Sequence, residues 1–288
     1  MNRKHMIPLF TTFLCWGSVY VVSKVAMRTI PPVTLLLLRY LVAVPTLFLL
    51  LKARGVLRPV EKRDLRTMFA IGATGYFVSF CLQMMGIDRL TGSVSSLLGA
   101  MNPIFIPILA AAFLGEKLTP AKVFSVALSM IGVVTIVGVS GTADPAGVLL
   151  MLLSVFLWST ASIIIRRLGG RYDPMQVAMT AMLFAIPFTG IWSAVELRTQ
   201  EIAFPLASVL AVLYMGTIGT AAPHSLWNYC LSKMDASFCS MFYPMQPLVA
   251  STLGVIFLGE RITTNYLAGA AIICCGIFLA VRAGKARA

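Results

Sequence analysis

The sequence predicts an all-α polytopic membrane protein of ten transmembrane helices, arranged as two inverted five-helix repeats. Three observations carry this prediction. Hydrophobic residues make up 59% of the chain and charged residues 11%, with mean hydropathy +0.90, so lipid or other helices must solvate most side chains. Apolar runs of about 20 residues, enough to span ~30 Å of hydrocarbon, recur from end to end. Finally, FLGEKLT at 113–119 returns as FLGERIT at 257–263, a distance of 144 residues and half of the 288-residue chain.

The first run, 6–25, follows a short basic segment, Met1–His5. It has no small-x-small cleavage site and runs on to Lys24 and Arg28, so it reads as an uncleaved span rather than a signal peptide. The second, 33–51, contains Arg39. After the longest polar stretch, 52–66, come 67–86, 93–113 and 122–140, which complete a first repeat of 1–143. The second repeat, 144–288, supplies 146–165, 175–195, 206–229, 237–258 and 265–281. Pro103 and Pro107 in the fourth span, and Pro244 and Pro247 in the ninth, should bend those helices and free carbonyls toward a cavity.

The repeat extends beyond the seven-residue motif. Aligning 93–137 with 237–281 gives 13 identities in 45 positions, including Ser93/Ser237, Pro103/Pro247 and Glu116/Glu260. Chance in this composition gives about a tenth. The earlier parts of the halves echo at an offset of 142: FLCWGS (13–18) against VFLWST (155–160), and Pro32 against Pro174. Five spans per half reverse the sense of membrane entry, so Glu116 should lie at the inner face and Glu260 at the outer.

Net charge is +13, and loop placement accounts for it without nucleic acid. With the N-terminus inside, 17 of the 23 Lys and Arg residues fall in inner segments, notably 52–66 and 166–171. Five fall outside, namely Lys24, Arg28, Arg89, Arg198 and Arg261, and Arg39 lies within a span. That bias places both termini in the cytoplasm. The six cysteines, in or beside spans and without a CxxC, read as space-filling thiols rather than metal or redox ligands.

The chain has no GxxxxGK[ST], HExxH or GxSxG, so an ATP-driven pump or a hydrolase is disfavoured, and no cofactor is expected. Trp16-Gly17 and Lys24 in the first span, Arg39-Tyr40 in the second, and Pro103 and Pro247 before the two FLGE motifs together resemble the EamA-type members of the drug/metabolite transporter superfamily. The resemblance covers essentially the whole chain. It implies two inverted five-helix repeats around a central cavity open to one side at a time, and relatives that export amino acids and other small metabolites.

Helical spacing sorts the polar and aromatic residues into stripes. Trp16, Tyr20 and Lys24 share a face, as do Tyr76, Ser79 and Gln83, and Thr220, His224 and Trp227/Asn228. Asn102 aligns with Gln246, each before a proline; Tyr243 joins Gln246, and Trp158 pairs with Ser162. Polar groups in hydrocarbon face a cavity or bond a neighbouring helix, and both roles stand for these stripes. As a set they are expected to line a substrate cavity: Trp16, Tyr20, Tyr76, Gln83, Asn102, Trp158, His224, Trp227, Tyr243 and Gln246.

A second group is expected to gate or brace: Lys24, Arg39, Pro103, Glu116, Pro247 and Glu260. Arg39, about 9 Å into its span at 1.5 Å per residue, has two readings: an anion-binding residue, or a cation that ties helix-end carbonyls and snorkels outward. The structural one is preferred, because the resemblance implies a cation kept across relatives of differing substrates, although the repeat mate Ala181 shows that the repeated fold does not itself require one. Glu116 and Glu260 should cap the next helix, with Thr119 and Thr263 as further caps.

The functional expectation is a secondary transporter exporting a small aromatic or amphipathic metabolite, an amino acid for example. Multidrug efflux of organic cations is the alternative, disfavoured by the lack of a mid-span carboxylate; a membrane enzyme or sensor is the third reading. The partners are then the substrate, the bilayer and a coupling ion, with His224 readable as a proton relay or as a neutral hydrogen-bonded imidazole. Monomer and dimer are both compatible with the chain.

Overall fold

Long apolar runs punctuated by Pro and Gly fold here as helices. The computed structural model describes residues 3–115, 120, 124, 127–128, 131–132, 135, 144–168, 170–240 and 242–285. Within these, the helices are α1 (Arg3–Ala26), α2 (Pro32–Ala53), α3 (Lys62–Arg89), α4 (Gly92–Leu114), α5 (Pro145–Leu168), α6 (Pro174–Glu196), α7 (Leu206–Lys233), α8 (Ala236–Leu258) and α9 (Thr264–Lys285). The first eight are long and apolar enough to cross a membrane; the apolar part of α9, Thr264–Gly276, is shorter. No strand occurs among the described residues. The expected fifth span, with Glu116 and Thr119, lies largely outside the described residues, so α5 is the sixth expected span.

The helices show Ile7, Leu49, Ile191, Leu206 and Leu248 to the outside, as side chains solvated by lipid would be. With eight spans and an apolar exterior, this is an integral membrane protein. Helix α3 starts within the stretch expected to be a polar loop. Its first turn is held by Asp64, which accepts from Arg171 Nη1 (3.0 Å) and the Tyr172 hydroxyl (2.8 Å).

The contacts between halves repeat in exchange. Helix α1 packs on α7 and α8, and its repeat mate α5 packs on α3 and α4. Helix α2 packs on α7 as α6 packs on α3, while α2 meets its own mate α6, and α4 meets α8. A contact set that maps onto itself when the halves swap is the signature of a two-fold axis. The direction of the helices makes that axis an inverting one. Pro8 of α1, Arg54 at the end of α2 and Arg171 after α5 meet at one end of the bundle. Helix α5 starts at the other end, where Asp144 pairs with Arg89 at 3.1 Å, so α1 and α5 enter from opposite sides. Arg89 and the Ala146 amide hold the Asp144 carboxyl below its ordinary value.

Close crossings depend on glycine. A Cβ at Gly72 would sit 2.6 Å from the Ala181 carbonyl oxygen, and one at Gly216, its mate 144 residues on, would overlap Val42. Each of these glycines opens or adjoins a π-helical stretch, Gly72–Ser79 in α3 and Thr217–Ala221 in α7. Periodicity cannot reveal such wide turns. The expected breaks at the prolines are present: α4 is interrupted before Asn102 and Pro103, and α8 turns at 242–244 before Met245 and Pro247.

Several expectations are corrected. The Gly99 carbonyl at the α4 break does not stay free for a cavity: Asn102 Nδ2 donates to it at 2.8 Å, so the helix end satisfies itself. Cys81, Cys230 and Cys239 are buried fillers, but Cys274 and Cys275 of α9 are exposed. Glu260 does not cap the following helix. Its oxygens accept from the Gly92 amide (2.6 Å), the Ser93 amide (3.1 Å) and the Ser93 hydroxyl, at the start of α4 in the other half. The chain reverses at Gly259 (φ 64°), which turns the carboxylate toward α4, and Thr263 supplies the α9 cap by accepting from the Tyr266 amide at 3.1 Å.

Candidate functional site

Repeat mates meet at the centre of the bundle. Trp16 and Trp158, matched at the 142 offset, lie with ring centroids 6.0 Å apart; Phe80 and His224, matched at 144, lie 5.3 Å apart. Around them is a cavity of about 30 Å³, lined by Trp16 and Tyr20 from α1, Phe80 and Gln83 from α3, and Gly99 and Asn102 from α4. Ser154, Val155 and Trp158 from α5 and Tyr243 and Gln246 from α8 complete it. It has room for roughly one water. The cavity sits on the axis, between the halves.

Polar contacts hold the walls. Trp158 Nε1 donates to the Tyr243 hydroxyl (2.8 Å), the Tyr20 hydroxyl donates to Gln246 Oε1 (3.4 Å), and the Ser159 hydroxyl donates to Asn102 Oδ1 (2.8 Å). Seven of the ten expected cavity residues therefore line it directly. The other three stand behind: Tyr76 against Trp158 (5.6 Å), His224 against Trp16 (5.3 Å) and Trp227 against Trp16 (5.6 Å), with Trp227 Nε1 on the Ser162 hydroxyl at 3.3 Å. Phe80, Gly99, Ser154 and Val155 were absent from the expected lining. Phe80 was visible only as the repeat mate of His224, and Ser154 as the residue one turn before Trp158.

Arg39 departs from the reading in which it ties helix-end carbonyls and snorkels outward. It is 1% exposed and does not snorkel. Nε and Nη2 donate to the Thr220 hydroxyl (3.0 and 2.9 Å), Nη1 points at Met84 Sδ (3.7 Å), and Cζ lies 6.0 Å from the Phe80 ring centre. The partner is a side chain rather than a carbonyl, because the π-helical stretch of α7 presents Thr220 to α2. Among the described residues no carboxylate pairs with Arg39.

Glu116 lies outside the described residues, and the other members of the second group are at the bundle's end or its breaks. Lys24 Nζ donates to the Asp88 carbonyl at 2.7 Å and shares a recess with Glu260, away from the central cavity. Pro103 and Pro247 are buried at the starts of the second segments of α4 and α8. Sequence reading missed Glu196, which does for α2 what Glu260 does for α4. It accepts from the Val33 amide (3.0 Å), the Thr34 amide (2.7 Å) and the Thr34 hydroxyl (2.9 Å), across the two halves. No repeat motif marks it.

A helical membrane protein whose halves are related by an inverting two-fold, with a small cavity lined by both halves, falls in the class of inverted-repeat transporters. The chain belongs to the EamA-like transporter family, whose profile matches residues 4–138 and again 145–282. It is 27% identical to an uncharacterized transporter of Archaeoglobus fulgidus, over 97% of this chain and 99% of that one. It is 25% identical to a Salmonella typhimurium protein named "Probable amino-acid metabolite efflux pump" (98% and 96%). It is also 26% identical to a Streptantibioticus cattleyicolor protein named "Probable terminal-alkyne amino-acid exporter" (96% and 93%). A crystal structure superposes over the whole of both chains with TM-score 0.74 at 19% identity, a likeness of fold.

Proposed function

We propose that this protein is a secondary transporter that exports small amphipathic metabolites of the amino-acid class by alternating access. The observation that carries the reading is the small aromatic-walled cavity between the halves, lined by both of them. An inverting two-fold supplies two related gates around one site. Indole and phenol rings suit an apolar side chain, while Asn102, Gln83 and Gln246 offer neutral hydrogen bonds. The names of the Salmonella and Streptantibioticus relatives support the substrate class. A cation-exporting site would want a carboxylate, and none lines the cavity.

In this reading the ten expected residues form the substrate site and its backing. The repeats divide at 143/144, both termini face the cytoplasm, and export is driven by a gradient of substrate or of a coupled ion, protons being one candidate. A metabolite-retention screen tests it: cells with and without the protein, compared for what accumulates outside. Extracellular accumulation of one or a few amino acids is expected; an unchanged amino-acid profile would sink the substrate class.

A further inference from the structure

Two buried groups beside the central cavity are incomplete in complementary ways. The first is Arg39. Its Nε–Nη2 edge is used on the Thr220 hydroxyl, which is uncharged, while Nη1 has only the Met84 thioether. A guanidinium held away from water without a counter-charge is costly, and its free fork matches a carboxylate. The repeat mate Ala181 shows that the fold can be built without a cation there.

The second is His224, 1% exposed. Its Nδ1 lies 2.8 Å from the Thr220 carbonyl, an acceptor, so the proton sits on Nδ1 and Nε2 is a lone-pair acceptor. Nε2 has no partner; the Tyr76 ring lies 5.2 Å from the imidazole, with its hydroxyl directed to the Asn228 side chain. Trp16, Phe80 and Trp158 surround the imidazole at 5.3–5.5 Å in edge-to-face contacts, which keep it dry.

Thr220 anchors both groups, one through its hydroxyl and one through its carbonyl, and both lie against the Phe80 ring, which also lines the cavity. We propose that Arg39 and His224 are the two poles of a zwitterion site. Arg39 receives the α-carboxylate of an apolar amino acid, and Nε2 of His224 receives its α-ammonium. The central cavity holds about one water as it stands, so the amino-acid side chain enters only once Phe80 swings aside, which both enlarges the cavity and joins it to the poles. This rests on the exporter reading above and reverses the bracing role that the sequence favoured for Arg39.

The test uses the full chain in nanodiscs, read by emission of the cage tryptophans. L-leucine and L-phenylalanine are titrated beside leucinamide and phenylalaninamide, which lack the carboxylate, and isocaproate and hydrocinnamate, which lack the ammonium. Each amino acid should bind at least about tenfold more tightly than either analogue, the scale of one charge-assisted hydrogen bond. Arg39→Gln should erase the preference over the amide and Arg39→Lys restore part of it, while His224→Phe should erase the preference over the deaminated acid. If the Arg39 variants do not fold, the analogue series on the unmodified protein decides. Equal binding of all three forms would overturn the two-pole site and leave the exporter reading standing. If neither amino acid binds and none accumulates outside cells, both fall.

Discussion

Removing the Glu260 carboxylate should loosen one end of the bundle by a predictable amount. Its two oxygens accept two backbone amides and a hydroxyl at the start of α4, a helix of the opposite repeat. Hydrogen bonds to a charged group contribute about 1.5–3 kcal/mol each when fully buried, and an ordinary N-cap about 1. Glu260 is half-buried and water can replace part of the set, so Glu260→Ala should cost about 2 kcal/mol. Glu260→Gln, which keeps one acceptor oxygen, should cost about half of that. The assay is an SDS unfolding titration of the purified protein with a parallel melting curve. In a double-mutant cycle with Ser93→Ala, the pair should show about 1 kcal/mol of coupling. The exposed Glu201→Ala serves as a control without effect. A Glu260→Ala protein within about 0.5 kcal/mol of its parent, or strictly additive energies, would refute the cap and with it the tie between halves.

Glu196→Ala should behave like Glu260→Ala, because its carboxylate makes the same three contacts at the start of α2; titrations matching the control would separate the two. Gly216→Ala drives a methyl into Val42 and should cost about 1–3 kcal/mol by overpacking, whereas Gly190→Ala, which meets open space, should leave the melting curve in place. Gly99→Ala would overlap the Tyr20 hydroxyl and push it off Gln246, so its largest effect is expected on ligand affinity read by tryptophan emission. Cysteine probes test the topology: on a cysteine-free background, 261 should label from outside the cell and 117 should not.

The sequence disclosed the fold because membrane spans are written in the one signal that survives without neighbours, the length of apolar runs. Expected 33–51 became Pro32–Ala53 and expected 175–195 became Pro174–Glu196. The repeat offsets went further, since they named mates such as Trp16 and Trp158 that the fold then brings together on its axis. What stayed hidden depends on contacts between helices. Which helix Glu260 would cap could not be read from its own loop, because the receiving amides are 167–168 residues away. Arg39 was misjudged for a related reason. Depth along α2 suggested a route outward, but the π-helical stretch of α7, invisible to periodicity, put the Thr220 hydroxyl in reach. Spacing left cavity lining and interhelical bonding both standing for Trp158, and it does both: it lines the cavity, packs on four rings of other helices and bonds Tyr243.

The paired π-helical stretches also bear on how such a bundle can move. A π turn holds one residue more than the ladder around it needs, and that surplus can be passed to the next turn by exchanging one carbonyl partner for its neighbour. Each hand-over rotates the turn it crosses by about 100° and shifts it by about 1.5 Å, while the helix on either side keeps its place. No peptide is left bare to lipid on the way, a condition any rearrangement inside a membrane has to meet. Because α3 and α7 each carry one such surplus at matching points, a hand-over in one can be answered by its reverse in the other. The two ends of the molecule could then trade shapes at nearly constant energy, with the ligand as the only weight on the balance.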